Sequence, residues 1–235
     1  MSTVELLLHE REMLCQTLQE VGPNGPTLCQ GWNASDLAAH LLVREHNPLT
    51  LPGMAFDKAF GGILAGYTSA AMRRAQLSGF DDMISRLRLG PPLLYRMKGP
   101  SALINLAENW IHHEDLLRAD DTGTCAACDH KEQHRELDDT LWKVIGFYGY
   151  IASLRLKGVS LRLLGADGQS KHIGKSRVIS HGGDKAGNGE SNVVTLEGAP
   201  GDIVLYLTGR QKPASISVDA SPHAMEILNS AKLGL

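Results

Sequence analysis

The chain has 235 residues, of which 43% are hydrophobic and 21% charged, and its formal net charge is −3. This composition is typical of a globular protein with a substantial core, and the small negative charge argues against a nucleic-acid-binding protein. No stretch approaches the roughly 18 apolar residues of a membrane-spanning helix. The first eleven residues include Glu5, His9, Glu10 and Arg11, which do not suit the apolar core of a secretory signal. We therefore expect a cytoplasmic protein without nucleic-acid or membrane partners, and the sequence does not indicate an oligomeric state.

Helical periodicity dominates the chain up to about residue 156. Residues 3–21 carry leucines at three- and four-residue spacing, and Gly22 and the proline after it end that helix. A second helix is predicted to begin at Asn33, a helix-capping residue with Asp36 three positions on, and to end at Pro48. Further helices are predicted at 57–77, 80–88, 101–119 and 132–156, with a short helical turn at 93–97.

The pattern changes at Gly158, after which short strands are predicted. Apolar and polar residues alternate over 159–164, and a hairpin-type turn follows at 166–168. The remaining predicted elements are strands at 177–180 and 193–196, a helix at 201–208, an edge strand at 216–218 and a closing helix at 221–232. The sequence thus predicts an all-α helical bundle over residues 1–156 and a small α+β domain over residues 157–235.

One helix carries a pair of residues with metal-ligand spacing. Glu108 and His112 lie four positions apart, so that both side chains can reach one ion from the same face of the helix. A catalytic zinc site uses three protein ligands, and His40, on an otherwise apolar helical face, is the best candidate for the third. A hydrogen bond would equally satisfy a buried histidine, and a Glu-x-x-x-His pair also occurs on solvated faces. The residues alone leave these alternatives open.

Two motifs resemble a known family. Gly31 to Leu41 reads Gly-Trp-x-x-x-Asp-Leu-x-x-His-Leu, and Glu108 to Leu116 reads Glu-x-x-x-His-x-x-Asp-Leu. Both resemble the signature of the mycothiol-dependent maleylpyruvate isomerase-like family. The resemblance implies a DinB-like four-helix bundle that binds zinc (Zn²⁺), or another divalent metal, through the residues at His40, Glu108 and His112.

The resemblance extends into the second domain. Residues 198–210, which end in Leu-x-Gly-Arg, resemble the strand-to-helix segment of the family's sterol-carrier-like C-terminal domain. There Arg210 is expected to hold an anionic group of the substrate, and the alternative is a surface arginine at a helix C-terminus. Residues 45–100 match the family poorly, and specificity for maleylpyruvate is therefore not carried over to this chain.

The resemblance implies an enzyme that uses mycothiol, a low-molecular-weight thiol, as co-substrate and acts on a small electrophile. The ligand set suits isomerase, S-transferase and metal-dependent hydrolase chemistry alike. A metal-containing binding protein, whose second domain holds an apolar ligand, is the alternative from another class. Asp115, one turn after His112, is expected to orient the imidazole of His112 from outside the metal site, and the equal alternative is that it caps a surface network. His113 and Glu114 point away from His112 and are expected to be structural or solvent-facing.

The four cysteines are expected to be reduced thiols, because the chain is neither small nor visibly secreted. Cys125 and Cys128 are followed by His130 and His134, a spacing that suggests a closed zinc site. That run is very compact and begins in a loop, so two free thiols able to form a disulfide on oxidation are expected instead.

Overall fold

A computed structural model of the chain describes residues 1–46, 63–90, 100–119, 131–165, 167–174 and 192–234. These residues form two compact units, Met1–Gln133 and His134–Leu235. The helices are α1 (Thr3–Val21), α2 (Ala34–His46), α3 (Ile63–Gln76), α4 (Phe80–Leu89), α5 (Pro100–Leu117), α6 (Lys131–Ser153), α7 (Pro200–Leu207) and α8 (Pro222–Ser230). The strands are β1 (Ser160–Gly165), β2 (Ser170–Ile173), β3 (Val193–Gly198) and β4 (Ile216–Ala220). The predicted combination of a helical domain and an α+β domain is confirmed at this level.

Local sequence signals set the ends of the first two helices. Ser2 and Glu5 form a reciprocal capping box at the start of α1, and Gly22, with φ of 71°, ends that helix. Before α2, the Asn33 side chain accepts a hydrogen bond from the backbone N–H of Asp36 at 3.0 Å. The Asp36 carboxylate accepts one from the N–H of Asn33 at 3.2 Å, which confirms the predicted cap.

The core of the first unit lies among α1, α2, α4 and α5, and α3 packs against α2. Its largest fully buried side chains are Leu18, Leu37, Leu41, Leu42, Met83, Ile84 and Leu106. An ion pair inside this core joins α1 to α2, since both guanidinium nitrogens of Arg11 donate to Glu45 at 2.6 Å. Arg11 also donates to the carbonyl of Leu87 in α4 at 2.9 Å. These contacts fix α2, the helix that carries His40, against its neighbours.

The second unit contains a four-stranded sheet in the order β2-β1-β3-β4. Strands β1 and β3 pair in parallel, and the other two pairs are antiparallel. Helix α6 packs closely on this sheet. A Cβ atom at Gly149 of α6 would lie 2.2 Å from Cδ1 of Ile173, so a larger residue there would require the Ile173 side chain to shift. The ammonium of Lys171 donates to the carbonyl of Trp142 at 2.5 Å.

Most predicted elements of the second unit are confirmed, including β4 at the sheet edge and α8 with its Ser221 cap. The strand β2 was not predicted, and α6 ends at Ser153 rather than at 156. The division between the units falls at Gln133, which groups most of α6 with the sheet, and the domain boundary at 156 stays a prediction. The predictions for 57–62, 93–97 and 177–180 lie outside the described residues. Within the part of the chain that the structure describes, no helix has the length and apolar content that crossing a membrane requires.

Candidate metal centre

Two helices of the first unit bring the predicted histidines together. His40 lies on the buried side of α2 and His112 on the buried side of α5, with 4% and 6% of their surfaces exposed. Their ring centroids are 5.1 Å apart, and the ring planes meet at 74°, an edge-to-face contact. Two imidazoles from sequence positions 72 apart therefore share one buried environment.

Glu108 lies one helical turn before His112, as its spacing in α5 requires. Its Oε2 atom is 3.9 Å from the Nε2 atom of His112. The guanidinium of Arg44, one turn after His40 in α2, lies 3.4 Å from the same oxygen and also donates to Asn105 at 3.3 Å. Arg44 thus balances the charge of the Glu108 carboxylate inside the protein, and no sequence signal had singled it out.

The other nitrogen of His112 faces Asp115, which is fully buried. Nδ1 of His112 lies 2.8 Å from Oδ2 of Asp115. Because a carboxylate accepts hydrogen bonds, this contact places the imidazole proton on Nδ1 and leaves the lone pair on Nε2, the nitrogen nearer Glu108. A carboxylate that orients a histidine in this way is common beside metal ligands in proteins.

The loop between α1 and α2 contacts Asp115, which lies beside His112, and also contacts His40. The thiol of Cys29 donates to Oδ2 of Asp115 at 3.2 Å, and the backbone N–H of Leu28 donates to the Asp115 carbonyl at 2.9 Å. The ring of Trp32, three residues on, lies 5.1 Å from the ring of His40. Trp32 is partly buried, packs against the core of the first unit and covers one side of the His40 imidazole.

One group of possible metal ligands in the described residues has all its donor atoms within 4.8 Å of one another: Cys29, His112 and Asp115. This group differs from the predicted set and shares only His112 with it. Sequence reasoning missed Cys29, because a single cysteine in a glycine- and proline-rich loop carries no spacing signal. The predicted set, with 5.1 Å between the ring centroids of His40 and His112 and 3.9 Å between Glu108 and His112, is not such a group among the described residues and stays a prediction.

The residues after His112 are more buried than the sequence indicated. His113 is buried between α5 and α1, where its Nδ1 lies 2.7 Å from Glu10 and its Nε2 lies 2.9 Å from the hydroxyl of Thr17. Glu114 forms an ion pair with Arg118, and burial raises the pKa of the Glu114 carboxyl. Of the two roles expected for His113, the structural one is therefore correct, and the solvent-facing one is wrong.

Arg210 belongs to the second unit and directly follows the turn that ends α7. Its guanidinium donates to the carbonyl of Thr208 at 2.8 Å, and its backbone N–H donates to Leu205 at 2.8 Å. Its role with a substrate anion stays a prediction. Of the four cysteines, Cys15 and Cys29 are reduced thiols, and Cys125 and Cys128 lie outside the described residues.

No family model matches this sequence, and no curated protein is detectably similar to it. Solved structures are more informative. The chain is similar to the crystal structure of the mycothiol-dependent maleylpyruvate isomerase, with a TM-score of 0.55 and 15% sequence identity. The match covers 92% of this chain and 91% of that chain. The chain has the fold of this isomerase.

A second crystal structure, of a histidine-to-alanine variant of the isomerase, matches with a TM-score of 0.52, the same identity and the same coverage. The resemblance predicted from two short motifs is therefore confirmed for the fold of nearly the whole chain. At 15% identity it does not by itself transfer an activity, a metal or a substrate.

Proposed function

We propose that this protein binds one divalent metal ion through His40, Glu108 and His112, with zinc as the first candidate for that ion. The observation that supports this proposal is the 2.8 Å contact between Nδ1 of His112 and Oδ2 of Asp115. If the Asp115 carboxylate accepts a hydrogen bond from Nδ1, the lone pair of Nε2 is directed to the side on which Glu108 lies. The edge-to-face contact of the two imidazoles brings His40 into the same environment.

The chemistry of these side chains fits the proposed ion. Two imidazoles and one carboxylate are the ligands of many catalytic zinc sites, which keep a fourth position for water or substrate. All three residues are buried, so the surroundings would exclude bulk water from a bound ion. The nearby Arg44 is the one feature that opposes a cation, because its guanidinium already neutralises Glu108.

The group of Cys29, His112 and Asp115 is the competing donor set. Its three side chains already satisfy one another, since Oδ2 of Asp115 accepts both the thiol proton and the Nδ1 proton. A metal there would displace both protons and use the opposite nitrogen of His112. We favour the first set because it leaves these hydrogen bonds in place.

Metal analysis of purified variants tests this assignment. His40→Ala and Glu108→Gln should each lose about one equivalent of zinc, while Cys29→Ser should retain it. His113→Gln is the matched control, because it removes the neighbouring histidine of the same helix, which faces α1. Retention of zinc by both His40→Ala and Glu108→Gln, with loss in Cys29→Ser, would assign the metal to the competing set.

We further propose that the protein is an enzyme of the isomerase or S-transferase type that uses a low-molecular-weight thiol, such as mycothiol, on a small electrophilic substrate. The support is the shared fold with an isomerase that depends on mycothiol. When bound, zinc would lower the pKa of a thiol at its open position to below neutrality. The chain's own part is to orient His112 through Asp115, to cover His40 with Trp32 and to exclude water.

The predicted domain types belong to the same proposal. We assign residues 1–156 to a DinB-like metal-binding bundle and residues 157–235 to a sterol-carrier-like domain, and we place the protein in the cytoplasm. In the second domain Arg210 would bind an anionic group of the substrate. Arg210→Ala should then raise KM with little effect on zinc content, while Arg162→Ala, which removes an exposed arginine of β1, should leave KM unchanged.

An activity assay distinguishes the proposed enzyme from its alternatives. Purified protein should consume a conjugated keto acid such as maleylpyruvate, or form a thioether with a small electrophile, only when mycothiol is present. Turnover by the zinc-loaded protein without thiol would indicate a hydrolase. Retention of an apolar ligand without turnover under any of these conditions would indicate a binding protein.

A further inference from the structure

We propose that Cys29 is a positioning residue of the metal centre. Its thiol holds the Asp115 carboxylate, and through that carboxylate it holds His112 in the orientation that binds metal. This inference rests on the proposed function of the site and adds to it a residue from outside both helices. Neither the metal-ligand spacing nor the motifs of the two helices include this cysteine.

A single oxygen atom joins the three side chains. Oδ2 of Asp115 accepts the Nδ1 proton of His112 at 2.8 Å and the thiol proton of Cys29 at 3.2 Å. Asp115 is fully buried, so loss of either donor would remove a hydrogen bond from a buried carboxylate. The bond from His112 comes from the same helix, three positions away, and cannot alone fix the carboxylate relative to the rest of the fold. The hydrogen bond from the Cys29 thiol attaches the Asp115 carboxylate to the loop between α1 and α2 as well.

Hydrogen bonds within the loop fix the position of the Cys29 thiol. The Thr27 hydroxyl accepts a hydrogen bond from the backbone N–H of Cys29 at 3.1 Å and donates to the carbonyl of Trp32 at 3.0 Å. The backbone N–H of Trp32 donates to the Cys29 carbonyl at 3.0 Å, and Leu28 is tied to the Asp115 carbonyl. A short turn of the backbone is thus closed on itself and anchored on α5, which sets the position of the Cys29 side chain.

The same turn also places Trp32 on the ring of His40. One loop therefore constrains both proposed histidine ligands, His112 through a chain of hydrogen bonds and His40 through ring contact. The hydrogen of the Cys29 thiol is directed to the Asp115 carboxylate. Cys29 is accordingly assigned to orientation, and the nucleophilic thiol of the proposed reaction comes from the co-substrate.

Zinc affinity and stability of the metal-free protein, measured separately, test this role. Zinc dissociation constants of the wild type, Cys29→Ala, Cys29→Ser and Asp115→Asn are determined by competition with a chromogenic chelator. Loss of a residue that orients a ligand weakens metal binding by roughly 10- to 100-fold, which we expect for Asp115→Asn. For Cys29→Ala we expect roughly three- to tenfold, because a thiol is a weak donor. Cys29→Ser restores a hydroxyl donor and should return the affinity to within about twofold of wild type.

Three results would overturn the inference, and each is distinct. Unchanged zinc affinity in Cys29→Ala, with a lower Tm of the metal-free protein, would mean a merely structural role. Loss of zinc in both Cys29→Ala and Cys29→Ser, with a thiolate-to-metal charge-transfer band in the cobalt-substituted wild type, would make Cys29 a ligand. Absence of zinc binding by the wild type would remove the proposed function and this inference together.

Discussion

The buried ion pair between Arg11 and Glu45 gives the sharpest test of how the first unit holds α2 in place. Both nitrogens of the guanidinium donate to the carboxylate at 2.6 Å, and Arg11 also donates to the Leu87 carbonyl. The two side chains are 5% and 1% exposed. Removal of one partner leaves a charge buried without its counter-charge, which typically costs about 3–5 kcal/mol of the free energy of unfolding.

We therefore expect Arg11→Met and Glu45→Leu each to lower that free energy by about 3–5 kcal/mol, measured by urea denaturation. The double variant removes both charges and leaves the Leu87 carbonyl without its arginine donor, which costs about 1–3 kcal/mol. The double variant should thus be more stable than either single variant. A double variant as unstable as the sum of the two single ones would refute this reasoning, because it would show that the two residues act independently.

A second pair supplies the matched control. Arg88 of α4 and Glu12 of α1 form an ion pair at 2.9 Å, but their side chains are 36% and 43% exposed. Arg88 lowers the pKa of the Glu12 carboxyl through a hydrogen bond. Exposed pairs of this kind contribute about 0.2–1 kcal/mol and are screened by salt. Arg88→Met should consequently have little effect on the urea midpoint, and that effect should shrink further at high ionic strength.

Two further predictions concern buried polar groups of the first unit. Thr17→Val should lower the free energy of unfolding by about 1–3 kcal/mol, because Nε2 of His113 loses its hydroxyl partner. Thr17→Ser keeps a hydroxyl group and should keep most of the stability. Equal losses of stability in thermal melts of the two variants would contradict this prediction. Burial raises the pKa of the Cys15 thiol to about 11. Iodoacetamide at pH 8 should therefore leave Cys15 unmodified in the native protein and modify it after unfolding. Alkylation of Cys15 under native conditions, detected by peptide mass analysis, would show that the thiol is accessible.

Local signals in the sequence predicted the helices and strands whose stabilisation is itself local. The cap at Asn33 and Asp36 and the start of α8 at Ser221 were read from side chains that bond to the adjacent backbone. Strand β2, Ser170–Ile173, carries no such signal. Among the described residues it lies at the sheet edge and pairs with β1, and its four residues lack the apolar alternation of a half-buried strand. Its place in the sheet depends on pairing with another strand rather than on its own composition.

The same distinction applies to the candidate site. Glu108, His112 and Asp115 lie on one helix, and the 3.6-residue period places them on one side of it, so their grouping could be read from spacing. Cys29 reaches Asp115 across 86 positions of sequence, and Arg44 reaches Glu108 from another helix. Such contacts follow from how α2, α5 and the loop pack together, which sequence spacing does not encode.

The hydrogen bonds of His112 decide between the two donor sets, because one imidazole carries one proton when it binds a metal. If His40 and Glu108 complete the site, the proton stays on Nδ1, and its bond to Asp115 and the thiol bond of Cys29 both persist. If Cys29 and Asp115 bind the metal, Nδ1 becomes the ligand atom and the proton moves to Nε2, where the Glu108 carboxylate lies 3.9 Å away. The first arrangement keeps both of these hydrogen bonds to Asp115, whereas the second breaks them at a fully buried carboxylate. Since replacing buried hydrogen bonds requires new partners of equal quality, we propose that the metal binds on the Nε2 side.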